Sequence, residues 1–268
     1  MIRDITIGQY YPAESVIHRL DPRVKLVGTL TFIISLFLHR SFLMYLVAAV
    51  FLTIVIKASK VPFRFMIKGL KAIMVLLLIT VVFNMFLTPG TPLIRIWKLT
   101  LTVEGVKQAA FMAIRLAFLI VGSSVMTLTT TPNHLTDGME KGLAPLNKLH
   151  VPVHEVSMIM SIALRFIPIL LEETDKIMKA PEARGADFDS GNLIQKAKSL
   201  VPLLVPLFIS AFRRANDLAM AMEARGYRGG EGRTKMKPLI YQKRDRMAYG
   251  VLLGYLAVMI LVGQFAPF

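Results

Sequence analysis

No cysteine occurs among the 268 residues, which excludes disulfides and thiolate metal sites. Tryptophan is reduced to Trp97, and the five histidines, His18, His39, His134, His150 and His154, are scattered. His150 and His154 could share a helix face, but they flank Pro152, and the nearest acid, Glu155, would point elsewhere. That pair reads as a loop-to-helix junction rather than a zinc site. Acid is also scarce: 17 Asp and Glu stand against 32 Lys and Arg, a net charge of +15. The cations alternate with long apolar runs, so positive-inside topology and contact with anionic lipid explain them more simply than nucleic acid does. After Met1-Ile2-Arg3-Asp4 there is no short apolar core followed by a small-residue cleavage site, so no removable signal peptide is expected.

What is abundant is apolar surface. Hydrophobic residues make up 54% of the chain, and its mean hydropathy is +0.57. A soluble domain averages about 45–50% even with glycine counted. The sequence therefore predicts an all-α, polytopic integral membrane protein with about five spans.

Asp21 is suited to cap a helix whose first position is Pro22. The runs 24–38, apart from Lys25 near its start, and 41–56 are apolar and each slightly short of the ~20 residues that cross a bilayer. His39-Arg40 between them reads as the turn of a tight helical hairpin, because a cation at mid-bilayer is costly. Lys57, Lys60, Arg64, Lys68 and Lys71 follow with no acid, which places this loop, and with it the N-terminus, in the cytoplasm. The third span is 72–87. Thr88-Pro89-Gly90-Thr91-Pro92 is turn chemistry, and Ile94-Arg95-Ile96-Trp97-Lys98 alternates like a short strand or interfacial segment. The fourth span, 109–128, holds Arg115, which should face protein and pair with a carboxylate or a helix-end carbonyl.

The stretch 129–246 has most of the acids and no run that reads as a clean span. Thr131 can cap a short helix at Pro132, and two long amphipathic patterns follow at 152–178 and 193–224, the second kinked by Pro202 and Pro206. The last span is 247–265. The expected organisation is thus 1–128 with four spans, 129–246 as a helical cytoplasmic unit, and 247–268 with the fifth span, the C-terminus lying outside.

One tetrapeptide occurs twice. Glu182-Ala183-Arg184-Gly185 returns as Glu223-Ala224-Arg225-Gly226, 41 residues later, each time closing a long helical pattern. Arginine at a helix C-terminus meets the negative end of the dipole, and glycine can take the left-handed turn that stops the helix. Two such ends suggest two similar docking points. Aligned at that offset, 167–185 and 208–226 otherwise share only apolar spacing and a polar patch, so they read as two helices converging on one ending rather than as a folding repeat. Pro181 disturbs the first copy: either the helix stops near Ala180 or the tip is weakened. Met158, Met160, Met178, Met220 and Met222 could give adaptable packing surfaces. Gly229-Gly230-Glu231-Gly232 lacks the Lys-Ser/Thr of a phosphate-binding loop, follows no strand, and reads as a linker.

Taken with Asp21-Pro22-Arg23-Val24-Lys25, Ala163-Leu164-Arg165-Phe166-Ile167-Pro168, Ala183-Arg184-Gly185-Ala186-Asp187-Phe188 and Glu223-Ala224-Arg225-Gly226-Tyr227, the chain resembles the T component of energy-coupling factor transporters along nearly its whole length. The resemblance implies a non-catalytic scaffold in a prokaryotic cell membrane. Its Ala183-Arg184-Gly185 and Ala224-Arg225-Gly226 tips would insert into two ABC-type ATPase subunits. A membrane-embedded substrate-binding S component would be the other partner, with vitamins or other micronutrients as cargo. It implies no cofactor on this chain, ATP and magnesium being held by the ATPases. The alternatives are a polytopic membrane enzyme, which would need an intramembrane cluster of Asp, Glu or His that the spans lack, and a self-contained secondary carrier, which would need an inverted repeat.

Overall fold

The computed structural model describes residues 10–38, 41–96, 99–183, 193–230, 236 and 238–265. Among these the chain is helical apart from one hairpin. Helices α1 (Pro22–Leu38), α2 (Phe42–Ser59) and α3 (Phe63–Leu87) lead into strands β1 (Pro92–Ile96) and β2 (Leu99–Thr102). Helices α4 (Val103–Thr129), α5 (Pro132–Leu143), α6 (Val153–Ala183), α7 (Leu193–Ala224) and α8 (Lys243–Phe265) follow, with a 3-10 segment, Ala144–Leu149, between α5 and α6.

Local chemistry sets the helix starts. The Asp21 carboxylate accepts the Arg23 N–H at 2.8 Å, which makes it the expected N-cap with Pro22 first in the helix. Thr102 caps α4 by accepting the Gly105 N–H at 3.0 Å, and Thr131 serves α5 through the His134 N–H at 3.4 Å. Helices α1 and α2 end and begin on either side of His39-Arg40, which lie outside the described residues, as do Trp97 and Lys98. The strand expected near Ile94–Ile96 is β1, paired antiparallel with β2 so that Ile94, Arg95 and Ile96 oppose Leu101, Thr100 and Leu99.

Two compact units emerge. One comprises Gly8–Gly142 and Leu239–Phe268, the other Leu143–Pro238. The divisions fall at 142/143 and 238/239 rather than at the expected 128/129 and 246/247. The reason is contact. Pro22 packs so tightly on α5 that a Cβ at Gly138 would stand 2.7 Å from it, and the segment before α8 is bound to the start of α1.

The core of the first unit gathers Phe32 and Leu36 of α1, Tyr45, Ala48 and Leu52 of α2, Val121 and Val125 of α4, and Tyr255 and Met259 of α8. Phe51 and Tyr255 stack with ring centroids 4.2 Å apart, and the Tyr255 hydroxyl bonds Ser35 Oγ at 2.7 Å, so the phenol is satisfied where it is buried. Gly122 admits the Phe32 ring, which would stand 2.6 Å from any Cβ there. Arg115 is buried, and among the described residues no carboxylate or carbonyl of the kind expected bonds it. Its Nε donates to the Tyr45 hydroxyl at 2.9 Å, and the guanidinium sits 5.1 Å from the centroid of Phe37. The surrounding spans offer no acid, and a hydroxyl dipole with a ring face is what remains to hold the charge.

A buried clasp ties the starts of α1 and α8. Asp245, 1% exposed, accepts the Asp21 N–H at 2.9 Å on one oxygen and the Gln242 N–H at 2.7 Å on the other. The Asp21 carboxylate holds the Arg23 guanidinium through bonds of 3.0 and 2.9 Å, and that guanidinium lies 3.8 Å from the Tyr241 ring centroid. Beside it the Lys25 ammonium donates to the carbonyls of His18 at 3.2 Å and of Thr129 at 2.8 Å, placing a cation on the C-terminal end of α4.

Among the described residues, four helices are long and apolar enough to cross a membrane: α2, α4, α6 and α8. Of the other two expected spans, α1 has 17 residues, and the apolar part of α3 is Ile73–Leu87. The presence of α6 in this set corrects the expectation that 129–246 holds no such segment. Its charges gather beyond Leu171, leaving an apolar first half in which Glu155 and Arg165 are the only charges.

Candidate functional site: the Arg-Gly helix ends

Helices α6 and α7 belong to the unit Leu143–Pro238 and pack on each other. His150 ends the 3-10 segment in the left-handed region, with φ 60°, and His154 lies on α6, so the pair straddles a loop-to-helix junction.

The contact between α6 and α7 includes an ion pair. Arg214 Nη2 donates to Glu173 Oε2 at 2.9 Å. These residues are 41 apart, the offset that superposes the two tetrapeptides. Positions that this offset equates are thus in contact between α6 and α7. Identical residues would repel there. Opposite charges turn the polar patch into an attraction, worth about 0.2–1 kcal/mol for a partly exposed pair.

The second tip is fully described. Helix α7 ends at Ala224, and Gly226 takes φ 72°. The Gly226 N–H returns to the Glu223 carbonyl at 2.8 Å, and the Tyr227 N–H to the Met222 carbonyl at 3.0 Å. This double closure is the Schellman motif, which needs a residue free of Cβ strain in the left-handed position. It satisfies the last carbonyls internally and leaves Glu223, Ala224 and Arg225 exposed. The Arg225 side chain makes no hydrogen bond or ion pair among the described residues.

The first tip is described to Ala183. Glu182 and Ala183 are exposed, and Arg184 and Gly185 lie outside the described residues. Pro181 does not stop the helix near Ala180, since α6 continues through Pro168 and Pro181 to Ala183. Proline deletes one backbone donor and crowds the carbonyl four residues before it, yet the helix runs on for two more residues. Of the methionines singled out, Met160 and Met220 are exposed, while Met158, Met178 and Met222 are half-buried.

Sequence reasoning missed the Glu173–Arg214 pair and the clasp at Asp245. The first left a trace, since Glu172-Glu173 aligns with Arg213-Arg214 at the same offset. The second left none, because it joins residues 224 apart.

The profile of the CbiQ family, described as cobalt transport protein, matches residues 13–236. The energy-coupling factor transporter transmembrane protein EcfT of Clostridium kluyveri is 59% identical over 264 residues, covering 97% of each chain. Its namesake in Thermosediminibacter oceani is 53% identical over 98% of this chain and 99% of its own. That of Bacillus subtilis is 48% identical over 91% of this chain and 93% of its own. With a profile match over most of its length and relatives this similar end to end, the chain belongs to the family of energy-coupling factor transporter transmembrane proteins, as a multi-pass membrane component of a transporter.

Proposed function

We propose that this chain is the scaffold that couples two cytoplasmic ABC-type ATPases to a membrane-embedded substrate-binding S component in a micronutrient importer. The observation that carries the reading is the Schellman end of α7, which leaves Arg225 exposed beside a left-handed Gly226 at a motif that the sequence carries twice. Two similar ATPases related by a two-fold would require such a pair of docking points. Arginine's rigid fork suits carboxylates or carbonyls on a partner, and glycine lets the partner's backbone come close. A capped helix end moves as a rigid body, so it can pass an ATPase motion into the membrane without refolding. The chain itself is non-catalytic in this reading. ATP and magnesium belong to the ATPases, and the substrate, a vitamin or other micronutrient, belongs to the S component.

The experiment is an affinity pull-down of this protein from membranes co-expressing paired ATPases, with Arg184→Ala, Arg225→Ala and the double variant. The native chain is expected to retain two ATPase copies and the double variant none. Each single loss should weaken docking by about 2–5 kcal/mol, as for other buried charge anchors. Full retention by the double variant would reduce the paired ends to simple helix caps and overturn the reading.

A further inference from the structure

A groove of about 400 Å³ runs between α2 and α8 in the unit Gly8–Gly142 with Leu239–Phe268. Its deep wall is buried Val24, Phe32 and Val125, and its rim is Ile54, Met247 and Val251, each 60% exposed or more. The lining is mostly apolar, with Thr29 and Thr129 among it, and Lys25 and Arg244 enter it at one end. Lys25 is already engaged by the carbonyls of His18 and Thr129. Among the described residues Arg244 is not: its Nε is buried and makes no hydrogen bond. A buried guanidinium nitrogen without an acceptor is costly, so the site is incomplete as it stands.

The neighbouring charges sharpen the point. Asp245 follows Arg244 but faces inward, committed to the N–H groups of Asp21 and Gln242. Lys243 and Arg246 flank it and are exposed, as are Lys57 and Lys60 at the end of α2. The first turns of α1 and α8 and the last turn of α4 meet at this same end, through the Asp21–Asp245 and Lys25–Thr129 bonds. The result is a collar of cations at one membrane surface above an apolar slot open to the bilayer. An anionic phospholipid has the complementary layout, with a phosphate at the interface and a chain running into the hydrocarbon. The volume lies within the roughly 300–1,000 Å³ typical of small-ligand sites.

We propose that this groove holds an acyl chain of an anionic phospholipid, with Arg244 on the lipid phosphate.

The test is native mass spectrometry of the full chain in detergent, titrated with dioleoyl phosphatidylglycerol or dioleoyl phosphatidylcholine. The native protein should retain the anionic lipid about tenfold more tightly than the zwitterionic one, the effect of one charge-assisted contact. Arg244→Gln should erase that preference, and Arg244→Lys should restore part of it. Val251→Trp, which fills the slot from its exposed rim, should weaken both lipids. Equal retention of the two lipids by the native chain, or a preference that survives Arg244→Gln, overturns the proposal. So does a Val251→Trp protein that keeps its phosphatidylglycerol but loses a co-purified membrane subunit, since the slot would then seat a partner's helix.

Discussion

Asp21 shows what a single position reveals before the chain is folded. Its neighbour Pro22 marks it as a helix cap, and it is one. Its second task, offering its N–H to Asp245, depends on a residue near the other end of the chain, and no local pattern announces it. Arg115 is a similar case: a charge in an apolar span predicts burial against protein, but only packing reveals that Tyr45 and Phe37 receive it. The electrostatics of Asp21 can be tested. Burial would raise its carboxyl, but the hydrogen bonds and ion pair with Arg23, with the charge of Lys25 behind them, outweigh that and hold it below the ordinary carboxylate value. A depressed acid stabilises the fold above its unfolded pKa, and that contribution disappears as pH falls through the lower folded value. Purified Asp21→Asn should therefore melt below the native protein at pH 7, and the gap should close as pH drops below about 4. A gap that stays constant from pH 7 to pH 3 would mean the charge on Asp21 contributes nothing.

At the scale of the element, α7 was almost fully legible. Its amphipathic period runs to the Arg-Gly signal, and the helix ends at Ala224 as that signal requires. The end of α6 was harder to read, because Pro181 argues for an earlier stop while the rest of the turn holds the helix to Ala183. Local propensity conflicted there with the continuity of a long helix, and the helix runs on through exposed residues to Ala183. The tip of α7 isolates the backbone term. Nothing lies within 4 Å of a Cβ built on Gly226, and its φ is 72°. Gly226→Val therefore meets no clash and suffers only the left-handed strain of about 1–2 kcal/mol. Amide hydrogen exchange at Gly226 and Tyr227 should quicken about tenfold, 1.4 kcal/mol being a factor of ten. Gly226→Asn, which tolerates this region, should stay near the native rate. If the valine variant exchanges as slowly as the native tip, the double closure is not what fixes the end of α7.

For the whole molecule, the question is how often the chain crosses the bilayer, and here charge and length give different answers. Positive-inside reasoning on Lys57, Lys60 and Arg64 gives five crossings with 129–246 on the cytoplasmic side. Length and composition instead admit α6 as a spanning helix. The polar second half of α6, with Glu172, Glu173, Asp175, Lys176 and Lys179 in two turns, favours a helix lying at the membrane surface with its apolar half toward lipid. The two arrangements differ in parity. If α6 stays on the cytoplasmic face, the stretch between α6 and α7 is inside and the C-terminus outside. If α6 crosses, both are exchanged. The absence of native cysteine makes this measurable without background. A membrane-impermeant maleimide should label a cysteine appended after Phe268 in intact spheroplasts, and should reach Ser190→Cys only after lysis. The opposite pattern would make α6 a true span. It would also put both Arg-Gly ends on the external side, beyond the reach of any cytoplasmic ATPase, so the same two labels test the topology and the docking model together.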